Sequence, residues 1–257
     1  FDSGNTFIML MLQTGQDIYN EDLYTTDYNS MKTTDIKNVN LTNFMTQDSI
    51  RVFEQWTKFY TVFSFDQAFD AFSRFRTGEM PLVIQSYTFY NQLSIAAPEI
   101  KGLWDFTLVP GTKQADGTIN HAANSAGSGA VIFNKVSNQA AAWDFVKWFT
   151  STDIQVDYGK QIEALMGPMG RFDTANVEAL EQLPWSTAEY EKISSQQSYL
   201  KEVPIIPASY AVTRHINNAF RMVVNDAGNP RYTLMSYNDQ IKSEIVRKYQ
   251  ELSSVKK

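Results

Sequence analysis

The chain has 257 residues, with 22 Lys and Arg against 28 Asp and Glu, for a net charge of −6. That length suits one large domain or two ordinary ones, and hides enough surface to fold without covalent staples. Zero cysteines exclude disulfide scaffolds, zinc ribbons and thiol chemistry, two histidines (His121 and His215) argue against a histidine metal cage, and the acidic balance gives nucleic acid no footprint.

The first apolar run, Phe7 to Leu12, reads as a strand or a helix turn. It is far short of the roughly 20 residues of a membrane span, and no basic region precedes it as in a signal peptide. Because the chain begins at Phe1, a leader or a larger N-terminal part is expected to lie outside it. The absence of Cys fits an exported protein of Gram-positive type. The polar stretch Asn20 to Asn43 reads as loop, with room for a short strand pair. A helix opens at Gln47-Asp48-Ser49, with Ile50, Phe53, Trp56, Phe59, Tyr60 and Phe63 on one face. A second follows, capped by Ser64 or Asp66, with Ala68, Phe69, Phe72 and Phe75 as its face and Gly78 as its end.

Three short runs read as strands: Met80 to Ile84, a buried one, Trp104 to Val109, which alternates, and Ala130 to Phe133. Between them a helix is expected over 88–96 and a turn at Asp116-Gly117. Ser137 is expected to cap a helix with Ala141, Phe145, Trp148 and Phe149 facing inward. Another helix is expected over 152–165, broken by Gly167 to Gly170. Further helical patterns cover 174–182, 187–200, 208–225 and 237–252. The last is capped by Ser236 and has Ile241, Ile245, Val246 and Tyr249 as its face. Short strands between longer helices make an α/β class with helix in excess.

Catalytic patterns are weak. Ala123-Asn-Ser125-Ala-Gly127 lacks the first glycine of a nucleophile elbow and precedes a strand. Gly127-Ser-Gly129 lacks the Gly-Lys-Ser/Thr and the following helix of a phosphate cradle. Asn225, Asp226 and Asn229 miss calcium-loop spacing and read as a helix-ending turn. Glu79, Asp105 and Glu163 are near one another only in element order, so no glycosidase carboxylate pair is marked. The aromatic content is 14%, and tyrosine and tryptophan suit surfaces that are apolar on one side and hydrogen-bonding on the other. Most such rings serve as core. The candidate binding rings are Tyr87, Phe89 and Tyr90 just past the 80–84 run, Trp104, and Tyr210. Arg171 and Arg214 offer fork-shaped donors.

The order of several segments resembles the second half of a sugar-type solute-binding protein of an ABC importer (extracellular solute-binding protein family 1). Asp66-Gln-Ala-Phe through Phe75-Arg-Thr-Gly78-Glu-Met-Pro-Leu-Val-Ile84 is similar to that family's F-x-x-G-x-x-A-M-x-I. Trp104-Asp-Phe-Thr-Leu-Val-Pro-Gly111 is similar to W-x-x-x-P-x-P-G. Gly127 to Asn134 with Ala140 to Ser151 is similar to a strand followed by A-W-E-F-L-K-W-L-T-S. Gln155, Tyr158-Gly159, Ala179-Leu and Leu183-Pro-Trp185 follow in family order.

The resemblance implies a type II periplasmic-binding-protein-like fold: two α/β lobes that close by hinge motion over a solute, without catalysis. Residues 1–109 and 168–257 would belong to the C-terminal lobe, and 110–167 would return to an N-terminal lobe missing here. The chain is therefore expected to be a fragment. Tyr87 falls where the family often stacks an aromatic on a sugar, although Ser86-Tyr87 replaces its Gly-x-Trp. Asn124, Ser128, Arg171, Tyr210 and Arg214 are the other implied contacts. The implied ligand is a small solute, a mono- or oligosaccharide. The implied partners are ABC transporter permease subunits, with no cofactor, metal or nucleic acid. The implied location is extracellular or periplasmic, with membrane attachment only through a lipid anchor outside this chain. A glycosidase-type enzyme and a surface adhesion or scaffold module remain the alternatives.

Overall fold

The computed structural model describes residues 4–32, 35–125 and 127–255. Phe1, where the sequence begins, and Ala126, in the glycine-containing loop, lie outside the described residues. In chain order come the helices α1 (Gly4–Gln13), α2 (Asp22–Thr25), α3 (Gln47–Thr61), α4 (Ala71–Arg76) and α5 (Thr88–Ala96). Three short strands follow: β1 (Thr112–Lys113), β2 (Ile119–Asn120) and β3 (Ala123–Asn124). Then come α6 (Gln139–Phe149), α7 (Thr152–Met166), α8 (Val177–Gln182) and α9 (Thr187–Ser198). β4 (Leu200–Lys201), α10 (Ser209–Asp226) and α11 (Pro230–Val255) complete the order. The chain forms two compact units.

The first unit comprises Phe1–Ala68, Val109–Ser125 and Tyr199–Lys257. Its core is ring-rich. Phe7 of α1 stacks on Trp56 of α3 at 6.0 Å between centroids and meets Phe53 edge-on at 5.3 Å. Trp56 stacks on Phe220 of α10 at 4.4 Å. The α3 face is as the periodicity predicts for Ile50, Phe53, Trp56 and Tyr60, all buried, whereas Phe63 lies past the helix end and is exposed. Thr46 caps α3, its hydroxyl accepting from the Ser49 amide. The 7–12 run is helical because Phe7, Ile8, Met11 and Leu12 fall on one face and bury together. The described residues of the 20–43 stretch include α2 and a 3₁₀ turn at Ile36–Asn38, and Thr42 bridges to Tyr19 just before the stretch.

The last helix is much longer than its sequence pattern suggested. α11 begins at Pro230, whose fixed φ suits the first helical position, and the Asn229 side chain accepts from the Tyr232 amide. Ser236 is therefore interior to the helix and caps nothing. Gln13 ties α1 to the 110–122 segment. Its Nε2 donates to the carbonyls of Pro110 (2.9 Å) and Ala122 (3.2 Å), and its Oε1 accepts from Thr112 (3.0 Å). β1 and β2 make an antiparallel hairpin around Asp116-Gly117, where Gly117 takes φ +88°. β3 pairs with β4 in parallel.

The second unit comprises Phe69–Leu108 and Ala126–Ser198. Its buried core is small: Leu180, Leu183 and Ile193, with Tyr87, Phe106, Phe172, Trp185 and Tyr190 packed around it. α4 starts later than the pattern implied. Its cap is Asp70, which accepts from the Ser73 amide, not Ser64 or Asp66. Asn138, not Ser137, caps α6.

The three runs expected as strands, 80–84 as a buried one, are not strands. Residues 80–84, 104–109 and 130–133 are extended or irregular, and Leu82 and Phe133 are 86% and 80% exposed. An apolar alternating run suits a sheet, but a strand exists only where a neighbour completes its ladder. No described segment pairs with these three. The α6 face is likewise open. Phe145, Trp148 and Phe149, expected to face inward, are all exposed, Phe145 at 60%.

The compact units cut the chain at 68/69, 108/109, 125/126 and 198/199. The lobe division expected from the resemblance cuts it at 109/110 and 167/168.

Candidate functional site

The second unit gathers a set of rings and charges around its small core. The sequence places Tyr87 at the start of α5 and Tyr90 one turn on, and the helix stacks them at 5.7 Å. Leu183-Pro184 ends α8 and turns Trp185 edge-on to Tyr87 at 5.4 Å. Trp104 and Phe106 meet Tyr90 edge-on at 5.5 and 5.6 Å. The result is a half-buried ring cluster with its polar atoms at the edges.

Arg171 enters this cluster from the turn that ends α7. Gly167 has φ +64° and breaks the helix, and Gly170 packs so close to the Ile162 carbonyl that a Cβ would lie 2.4 Å from it. The guanidinium carbon lies 5.5 Å from the Trp185 ring centroid. Nε donates to Glu163 at 2.8 Å, and Nη1 donates to the Tyr90 hydroxyl at 3.1 Å. Tyr90 in turn donates to Glu189, whose carboxylate is 3.7 Å from Arg171 Nη1. Asn91 Nδ2 donates to the Arg171 carbonyl at 2.8 Å and fixes its backbone.

The electrostatics follow from this geometry. Burial pushes the Tyr90 phenol up to about 12, and its hydrogen bond to Glu189 adds to that. Burial also pushes the Tyr87 phenol well above the ordinary range. Burial acts to raise the Glu189 carboxyl, but the bonds from Tyr90 and Ser186 and the Arg171 charge hold it below the usual value. Burial raises Asp173, with partial relief from its hydrogen bond to Gln197. Three polar atoms of the cluster, Tyr87 Oη, Asn91 Oδ1 and Trp185 Nε1, are buried without a hydrogen-bond partner among the described residues. A small cleft of about 10 Å³, lined by Gly159, Glu163, Arg171, Phe172, Leu183, Pro184 and Trp185, has room for about one water.

The six sequence-predicted contacts are divided between the two units. Tyr87 and Arg171 share the ring cluster. Ser128 lies on exposed, irregular backbone of the same unit. The other three belong to the first unit. Asn124 sits on β3, in register with Lys201 of β4. Tyr210 and Arg214 are one turn apart on α10, with the guanidinium carbon 5.6 Å from the ring centroid, and Arg214 pairs with Glu244 of α11 at 3.6 Å. Glu189 and the ring of Trp185 were missed as site residues. Leu183-Pro-Trp185 was legible as a segment, but its turn toward α5 is a long-range contact that no local pattern encodes.

The model of the bacterial extracellular solute-binding protein family matches residues 2–156, more than half of the chain. The chain belongs to this family. Among solved structures it is similar to a maltose-binding periplasmic protein of Listeria monocytogenes, solved in complex with maltose. The likeness has a TM-score of 0.65 at 14% identity and covers 96% of this chain but 59% of that one. No curated protein sequence matches the chain. The fold is thus of the type II periplasmic-binding-protein kind, α/β and helix-rich, and the chain spans about three fifths of the length of its structural relative.

Proposed function

We propose that the chain captures an extracellular solute, a carbohydrate, for delivery to the permease subunits of an ABC importer, and performs no chemistry on it. The family match over residues 2–156 carries this reading. The carbohydrate is favoured by two further points. The structural relative holds maltose, and the Tyr87–Trp185–Arg171 cluster combines ring faces with hydrogen-bonding edges, as a sugar's two-sided chemistry requires. Tyr87, Asn124, Ser128, Arg171, Tyr210 and Arg214 are the proposed contacts. Capture takes place outside the cytoplasm, in the periplasm or at a cell surface through a lipid anchor beyond these residues. No helix among the described residues is long and apolar enough to cross a membrane.

In this reading residues 1–109 and 168–257 belong to one lobe, and 110–167 to a second lobe completed by polypeptide outside the chain, with hinge closure on the solute. The open α6 face and the unpaired 130–133 run support it, since both lie within 110–167 and both expose apolar surface that a completed lobe would cover.

Calorimetric titration of the chain with maltose and a panel of neutral oligosaccharides tests the function. Binding that weakens about tenfold in Tyr87→Ala, a loss of about 1.4 kcal/mol, is the expected result. Turnover of a chromogenic glycoside, or no binding to any sugar, peptide or polyol by the chain or by a longer protein containing it, overturns it.

A further inference from the structure

On the first unit, Arg214 and Tyr210 stand one turn apart on α10, with the guanidinium carbon 5.6 Å from the ring centroid. Both side chains are exposed. The Arg214 guanidinium makes no hydrogen bond among the described residues, and its ion pair is with Glu244 of α11, Nη2 to Oε1 at 3.6 Å. The Glu244 side chain is 24% exposed where that of Arg214 is 52% exposed, so the carboxylate is the better fixed of the two. Its other oxygen, Oε2, accepts from Arg247 Nη2 at 2.5 Å, and Arg247 Nη1 is held in turn by Glu251. We infer that Glu244 is a positioning residue for solute capture: anchored on α11 by Arg247, it keeps the Arg214 guanidinium over the Tyr210 ring with its donors open to the solute. The inference rests on the reading of Tyr210 and Arg214 as solute contacts.

A long arginine on a helix surface samples many rotamers, and a ligand that binds through it must first order it. A cation–π contact at an exposed ring is a weak restraint by itself. A charge partner adds direction, provided that the partner is itself fixed. Glu244 meets that condition because Arg247, three residues on along α11, takes Oε2 and leaves Oε1 toward Arg214. At 3.6 Å the contact with Arg214 is longer than a hydrogen bond, so it orients the guanidinium without using up its N–H groups. Solute hydroxyls can accept from those N–H groups, and the Tyr210 ring offers apolar surface beside them. A solvent-exposed ion pair adds little to folding, so the contribution of Glu244 falls on binding.

Two measurements test this. In NMR of arginine-labelled protein, the Arg214 Nε–H signal, assigned by its loss in R214A, should show cross-relaxation to the Tyr210 ring in the wild type and lose it in Glu244→Gln. Calorimetric titration with maltose and the neutral oligosaccharides then compares wild type, E244Q, R214A and R214A/E244Q. E244Q is expected to weaken binding about three- to tenfold, the scale of ordering one long side chain, and to add no loss in the R214A background. Glu244 also pairs with Arg247 and acts on His215, and any effect through those groups would survive in R214A. An equal loss in both backgrounds, no loss in E244Q where R214A loses affinity, or an Arg214 signal unchanged in E244Q overturns the positioning role and leaves the solute contacts standing. R214A and Y210A that bind as tightly as the wild type, or no sugar binding by the chain or by a longer protein containing it, overturn the contacts and the inference together.

Discussion

Arg171 lies over the Trp185 indole, 5.5 Å from its centroid, while its Nε donates to Glu163 at 2.8 Å. One side chain thereby joins the end of α7, the start of α5 and the turn after α8. Its substitution is expected to destabilise the second unit. Arg171→Ala leaves Glu163 and Glu189 partly buried without their shared cation, and should cost about 1–3 kcal/mol in urea unfolding. Arg171→Lys keeps the charge but not the planar fork, so it should recover only part of that loss. Equal stability of the Ala variant and the wild type would show that solvent already screens the trio.

The two tryptophans Trp56 and Trp148 should respond oppositely to the same change. Trp56 is fully buried among Phe7, Phe53 and Phe220, so Trp56→Ala should cost about 3–5 kcal/mol. Trp148 is 53% exposed on α6, so Trp148→Ala in this chain should stay within about 0.5 kcal/mol. Chemical denaturation of both variants checks the contrast. A large loss at Trp148 would mean that its ring is buried after all.

Gln13 is expected to be intolerant of an apolar isostere. It is buried, and its amide satisfies two carbonyls of the 110–122 segment. Gln13→Leu strands those acceptors and should cost about 1–3 kcal/mol, with faster amide exchange across β1 and β2. Exchange measured by mass spectrometry reads this directly.

His215 predicts an acid-side loss of stability. Burial, and next the neighbouring Arg214, hold its imidazole below the ordinary value, against the opposing pull of Glu244. Both ring nitrogens are buried without a hydrogen-bond partner among the described residues, and the Tyr237 ring lies beside it at 6.0 Å. The unfolded chain therefore takes up the proton first. Stability is full above the unfolded pKa of about 6.5 and declines as pH falls below it. Thermal melts of the wild type and His215→Phe between pH 5 and 7.5 should show a slope in the wild type that the variant flattens. Parallel slopes would assign the effect to carboxylates instead.

The helices were largely legible because their faces bury within the chain. Ile50, Phe53, Trp56 and Tyr60 of α3, and Ile241, Ile245 and Val246 of α11, repeat at helical spacing and occupy one core. Strand runs such as Met80 to Ile84 and Ala130 to Phe133 were misread. Their composition reports suitability for a sheet, whereas the ladder depends on a partner strand elsewhere. α6 shows the same limit from the other side: its ring stripe is real, yet periodicity says which side is apolar and not what lies against it. At the candidate site, Tyr87 and Arg171 were readable from the segments around them. Glu189 was not, because it joins the site through a Tyr90 contact 99 positions distant.

Gly159 lines the cleft with the one residue type that adds nothing to it. A Cβ there would stand 2.4 Å from Leu183 Cδ2 and 2.8 Å from Phe172 Cε1, both of which belong to lining residues. A single added methyl group is thus a steric valve: Gly159→Ala must displace the walls of the cleft while leaving every charge and hydrogen-bonding group unchanged in kind. It separates room from recognition, which no substitution at Arg171, Glu163 or Glu189 can do.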